Sequence, residues 1–261
     1  MLEPELVFNA YPDIPVSFRR AMLTEYLQCK ALGYIFNSTS STGLVFMGGS
    51  ALRVFYGTRR FSEDLDFDCR SLTRDKLEMI TDTVAGGFRM EGAQVDVSLR
   101  RKDAFSAVFR FTEILQKWDL TGHRDQVLKL KLDASPQCYS YDPVIRVLNR
   151  LDVTALVPVA SDSLILAQKL HAILQRSRVM GRDLYDAAFL FGRTLPEMSY
   201  LEQKQGTSSA LEIADKILAR IQSCSMTDLV HDVASFLPNR QETMKVELFP
   251  GILEEWAASS C

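Results

Sequence analysis

The stretch GGSALRVFYGTRRFSEDLDFD, Gly48 to Asp68, decides how this chain is read. Asp64, Asp66 and Asp68 stand two residues apart, just after a glycine pair and a short helical pattern. Side chains on a strand alternate between faces, so SEDLDFD sets the three acids on one face and Leu65 and Phe67 on the other. Strands disfavour aspartate, and like charges at this spacing repel unless a cation lies among them. Hard divalent cations take oxygen ligands, which makes magnesium the natural candidate between Asp64 and Asp66. The competing reading is an edge strand whose acidic face is merely wet.

Upstream, LVFM (Leu44 to Met47) is a short apolar run that suits a buried strand, and SALRVFY (Ser50 to Tyr56) suits a short helix closed by Gly57. Gly48 and Gly49 allow a tight turn and close approach of a ligand, and with Ser50 they offer free amides to an anion. Turn geometry alone also explains such glycines. The pattern is neither GxGxxG nor GxxxxGK[ST], and it is not GxSxG, so Rossmann, Walker and nucleophile-elbow readings lose support. Taken together, turn and acidic strand suggest a nucleoside triphosphate resting on the turn, with magnesium held by Asp64 and Asp66 in a two-metal phosphoryl displacement. Arg53, Arg60 and Ser62, between the two motifs, are assigned to the nucleotide. A third carboxylate on a neighbouring strand would complete the metal site: Asp133 closes the alternation Lys129, Lys131, Asp133, and Asp96 in VDV is the alternative.

The 261 residues carry a net charge of -3, with 47% hydrophobic and 24% charged residues, which excludes a disordered chain and any global positive field. Attraction to nucleic acid would then rest on local clusters, such as Arg59, Arg60, Arg70 and Arg74, or Arg100, Arg101 and Lys102. No apolar run approaches the roughly 18 residues of a membrane span and no secretory signal opens the sequence, so a cytoplasmic protein with no membrane partner is expected. Five scattered cysteines without a CxxC pair and three histidines without zinc spacing argue against a disulfide framework or a zinc site.

Helical spacing runs from Ile14 to Phe36 and a polar loop follows over Asn37 to Gly43. Gly92 to Arg100, Ala107 to Leu115 and Val127 to Ser135 read as strands, and from Ser161 onward helical spacing dominates. The expected fold is α+β: a mixed sheet with flanking helices over residues 1–155, then a helical domain over 156–261. In the helical half, Leu166, Leu170, Ile173 and Leu174 make a buried stripe with Lys169 at its margin, where the ammonium either meets a phosphate or sits in water. Asp183 and Asp186 at the start of the helix after Gly181 read as caps of its free amides, or else Asp183 orients Lys169 or Arg182 at an active site.

Four pieces in this order, GGSALRVFYG, RFSEDLDFD, LILAQKLHAIL and GRDLYDAAFLF, resemble the AbiEii/AbiGii nucleotidyltransferase-like toxins of bacterial toxin-antitoxin systems. The resemblance covers roughly residues 40–195. It implies a DNA polymerase β-like nucleotidyltransferase domain followed by a helical domain, and a cognate antitoxin; some relatives transfer nucleotides to the 3′ end of tRNA. On the matching motifs, Gly49 and Ser50 fall to the phosphate turn, Asp64 and Asp66 to the metal pair, Lys169 to the family lysine and Asp183 to the acid of the last motif. Asp64, Asp66, Lys169 and Asp183 are therefore the expected catalytic set, and Asp133 joins the metal ligands. The expected activity is magnesium-dependent transfer of a nucleoside monophosphate (NMP) from an NTP to RNA, tRNA first among the acceptors. The alternatives are transfer to a protein hydroxyl, or a non-catalytic descendant that binds nucleotide or RNA.

Overall fold

The structure is a computed structural model that describes residues 1–38, 43–69, 72–101, 105–123 and 126–260, with the backbone alone at Arg101. The chain forms two compact units. The first holds Met1–Phe55 and Phe61–Ala160; the second holds Tyr56–Arg60 and the chain from Ser161 onward.

Seven strands build the sheet of the first unit: β1 Leu44–Met47, β2 Asp64–Cys69, β3 Val95–Arg101, β4 Phe105–Phe111, β5 Leu128–Ser135, β6 Val144–Arg150 and β7 Val153–Val159, in the order β3-β4-β5-β2-β1-β7-β6. The sheet is mixed, because β2 runs parallel to β5 and β1 parallel to β7 while the other pairs are antiparallel. The helices are α1 Pro4–Asn9, α2 Arg19–Phe36, α3 Gly48–Ala51, α4 Arg74–Met90 and α5 Ile114–Lys117. α2 and α4 cover the apolar face, where Leu65, Phe67, Phe109, Leu130 and Leu132 are fully buried. The Phe88–Phe111 ring pair at 4.8 Å joins α4 to the sheet, and Phe46 and Phe67 pack at 5.4 Å across β1 and β2.

Two segments depart from the sequence reading. The run Ala107 to Leu115 does not stay extended: Glu113 takes a left-handed backbone (φ 65°), and α5 follows with Ile114 and Leu115 turned inward. Val144 to Val159 forms a β6–β7 hairpin turned at Leu151 (φ 54°), at the edge of the sheet.

The second unit contains α6 Asp162–Gln175, α7 Gly181–Phe191, α8 Met198–Gln205, α9 Ala210–Gln222, α10 Met226–Ala234 and α11 Met244–Ser259. Ser161 caps α6, its hydroxyl accepting the Leu164 N–H at 3.2 Å. Gly181 is required by packing, since a Cβ there would lie 1.8 Å from the carbonyl oxygen of Leu229 in α10. Leu166, Leu170 and Ile173 are fully buried as the spacing predicts, while Leu174 is half-buried. Among the described residues no helix is long and apolar enough to cross a membrane.

Candidate active site

The chain leaves β1 at Met47, which lies opposite Asp66, and turns at Gly48 with φ +77°. A Cβ built on Gly48 would stand 2.5 Å from Asp66 Oδ2 and 3.0 Å from Asp66 Cβ, so glycine is needed both for backbone sign and for space. Gly49 and Ser50 are buried. The Ser50 hydroxyl donates to the main-chain carbonyl of Asp64, and Gln28 of α2 donates to the Ser62 carbonyl at 2.9 Å and to Ser50 Oγ at 3.5 Å. Turn and acidic strand are thus fastened together at two points, one steric and one hydrogen-bonded.

Register sets what surrounds the acids. Asp64 lies opposite Lys131 and Asp66 opposite Asp133 on the parallel neighbour β5, and paired residues share a face. Lys131 Nζ sits 2.5 Å from Asp133 Oδ2. That hydrogen bond, with the fields of Asp133, Asp64 and Asp66, holds the ammonium above the ordinary lysine range against its partial burial. Asp68, buried at the far end of the row, accepts the Gln137 N–H at 2.9 Å and the Tyr141 hydroxyl at 2.8 Å. Of the two further carboxylates weighed from sequence, Asp133 stands beside Asp66, while Asp96 on β3 lies opposite Arg110, two strands beyond β5.

The donor chemistry fits a hard cation. Asp64 and Asp66 offer only carboxylate oxygens, on one face, two strand rises or about 6.7 Å apart along the backbone. Among the described residues no three acids, histidines or cysteines converge as a ready cage. A carboxylate pair on one strand suits magnesium, which is held by one or two carboxylates and completes its shell with water and substrate phosphates.

Other residues assigned to the nucleotide are engaged within the protein. Arg53 donates to the buried Glu25 at 2.6 Å and lies 4.1 Å over the Phe61 ring; Glu25 also accepts from Arg150 and Tyr11. Ser62 is half-buried with its carbonyl held by Gln28. Arg74 pairs with Glu78 on the surface, and Arg70 and Lys102 lie outside the described residues. Gln28 and Glu25, a turn apart on α2, were not singled out from sequence, although two polar residues in an otherwise buried helical stretch are the available signal.

In the second unit, Lys169 Nζ lies 2.8 Å from Asp183 Oδ1 and 2.8 Å from Asp186 Oδ2. Arg60 grips Asp186 with two bonds of 2.9 and 2.8 Å. Arg60, Asp183 and Asp186 are buried, and two cations offset two anions. Arg176 Nε stands 3.2 Å from Asp183 Oδ2 as an ion-pair neighbour without hydrogen-bond geometry. Burial disfavours the charged form of Lys169, yet Asp183 and Asp186 outweigh it and keep its pKa above the ordinary lysine value. Burial likewise works against charged Asp186, and Arg60 and Lys169 pull its pKa below the ordinary range. The ammonium of Lys169 is therefore ion-paired inside the unit and not in water. Asp183 does not cap α7; the Gly181 N–H donates to Asp232 at 2.9 Å. Asp186 has no local sequence signal as a partner of Arg60, from which 126 residues separate it.

Solved structures similar to the chain include JHP933 from Helicobacter pylori, 18% identical with a TM-score of 0.56, covering 92% of this chain and 94% of that one. A second, described as "putative nucleotidyltransferase from H. pylori", is 18% identical with a TM-score of 0.52, covering 92% and 97%. At that identity the likeness shows the fold alone, an α+β nucleotidyltransferase-like architecture. No curated protein matches. A family model described as "Nucleotidyl transferase AbiEii toxin, Type IV TA system" matches residues 30–231, a span that takes in the glycine turn, the acidic strand and the Lys169 cluster. The chain belongs to that family, the AbiEii nucleotidyltransferase toxins of type IV toxin-antitoxin systems.

Proposed function

We propose that this toxin transfers an NMP from an NTP to a hydroxyl of RNA, with the 3′ end of tRNA as the acceptor, and that Asp64 and Asp66 hold the magnesium it requires. Family membership implies the NTP substrate and a cognate antitoxin. The observation that carries the reading is the seating of the Gly48 turn directly against Asp66, with Ser50 tied to Asp64. A phosphate-sized ligand on Gly48 and Gly49 would then meet the carboxylate pair at once. Asp64 and Asp66 would hold the magnesium, which would supply neutralisation of phosphate charge and a lowered pKa for the attacking hydroxyl. The hydroxyl oxygen bonds to the α-phosphorus as the bond to the bridging oxygen breaks, and pyrophosphate leaves. Asp64 and Asp66 fix the cation's place on a rigid strand, Asp133 is the third carboxylate beside them, and Ser50 and Gln28 hold the turn in register. The ordered family motifs, rather than any distance to Asp64, support roles for Lys169 and Asp183 in the reaction. Cytoplasmic action follows from an RNA acceptor.

The test is incubation with each of four labelled NTPs, magnesium and total tRNA, resolved on a denaturing gel. Label on RNA is expected. Absence of transfer with every nucleotide overturns the proposal, and label on a protein band moves the acceptor to a protein hydroxyl.

A further inference from the structure

The register of β2, β5, β4 and β3 sets one face of the sheet in rows. Asp66, Asp133, Ser106 and Arg100 form one row; Asp64, Lys131, Val108 and Ser98 the next; Lys129, Arg110 and Asp96 a third. The intervening residues, such as Leu130, Leu132 and Phe109, point to the opposite face and are buried there. Outward from the carboxylates, this face therefore carries three cations, Lys129, Arg110 and Arg100, against the single acid Asp96. Lys129 and Arg100 are exposed, Arg110 is half-buried, and Arg110 is oriented by donating to Ser98 Oγ at 2.8 Å. Ser98 and Ser106 add hydroxyls, and the rows contain no aromatic ring and no exposed large hydrophobic side chain. Such a surface has little to offer an apolar protein partner and no platform for stacking bases. It suits a chain of phosphates. Three strand spacings, about 14 Å, separate Arg100 from Asp66, so the basic face begins beside the acids and leads away from them.

We propose that this face of β3, β4 and β5 is the track on which the phosphate backbone of a single-stranded nucleic acid acceptor lies while its reactive hydroxyl reaches Asp64 and Asp66. The inference rests on the reading of the site as a nucleotidyltransferase acting on RNA. Recognition through Lys129, Arg110 and Arg100 is electrostatic and indifferent to base sequence.

The experiment compares the full chain with the Lys129→Gln, Arg100→Gln double variant. Anisotropy of a labelled single-stranded RNA is followed from 50 to 200 mM salt, with magnesium-NTP binding, transfer and thermal unfolding measured in parallel. Three phosphate contacts give a log-log salt slope of about -2, a loss of roughly 20-fold over that range. The double variant should show a slope of about -0.7 and bind roughly 25-fold more weakly at 0.1 M salt, while NTP binding and the unfolding midpoint hold. An unchanged slope and affinity in the double variant overturns the track, as does wild-type protein that binds no RNA or prefers an acidic protein. Salt-dependent RNA binding without any nucleotide transfer by the wild type supports the track and refutes the proposed reaction, so the two failures are distinct.

Discussion

Replacing Gly48 by alanine adds one methyl group where the structure has no room for it. At φ +77° a residue with a Cβ costs about 1–2 kcal/mol relative to glycine. The new Cβ would also stand 2.5 Å from Asp66 Oδ2, about 1 Å inside normal contact. Asp66 or the turn must give way by about that distance, and misplacing an aligned group by 1 Å costs on the order of a hundredfold in rate. Gly57→Ala is the matched control, since Gly57 has φ +81° and nothing within 4 Å of the built Cβ. Both variants should lose about 1–2 kcal/mol in urea unfolding, and Gly48→Ala alone should lose about a hundredfold in nucleotide transfer, with weaker magnesium binding by titration calorimetry. If Gly48→Ala transfers nucleotide within a few-fold of Gly57→Ala at equal stability, the steric coupling of turn and carboxylate is not what positions Asp66.

Asp64→Ala and Asp66→Ala should each reduce transfer on the order of a thousandfold or more while circular dichroism melting stays near wild type; a variant with full activity removes that residue from the reaction. Asp186→Ala leaves Arg60 and Lys169 buried opposite one remaining carboxylate and should cost about 3–5 kcal/mol in urea unfolding; a loss under about 1 kcal/mol would show the cluster to be solvated. Glu91 is pushed up by burial but pulled down further by bonds from Lys30 at 2.5 Å and Tyr34 at 2.6 Å, to a pKa of about 2. Because the folded value lies below the ordinary 4.5, its stabilisation is complete above that pH and is lost as pH falls toward 2. Glu91→Gln should therefore flatten the melting temperature against pH between 5 and 2, and an unchanged slope would assign the acid sensitivity elsewhere. Arg53→Ala should show as lost stability, because the buried Glu25 keeps Arg150 and Tyr11 but loses the partner of its second oxygen, before it shows as a raised KM for NTP; an altered KM at unchanged stability would return Arg53 to the nucleotide.

Those elements whose pattern is local were readable from sequence. Period-two alternation over SEDLDFD and VLKLKLDAS fixed both strands and the face of each acid, because a strand with one face buried has only one tolerable register. Gly48 was legible as a turn, but its second reason, the Asp66 side chain, exists only after β1 and β2 pair. The hairpin of β6 and β7 was not singled out: it turns through a left-handed Leu151 instead of a glycine, and β6 has an exposed apolar outer face without clean alternation. Lys169 shows the same limit at the site. Its position on the helical stripe gave a snorkelling ammonium as the simpler reading, and only the arrival of Asp183 and Asp186 from α7 makes its burial tolerable, against the repulsion of the neighbouring Arg60.

The positive charge demanded by the row of acids comes from more than one source. Asp68 is withdrawn from the row by a tyrosine hydroxyl and a main-chain amide. Asp133 draws Lys131 to itself, and register keeps that same ammonium beside Asp64. Asp64, Asp66 and Asp133 thus share one face of the sheet with Lys131. In the reaction proposed above, a first cation would be held by Asp64 and Asp66 and a second would arrive with the triphosphate, as two-metal chemistry requires.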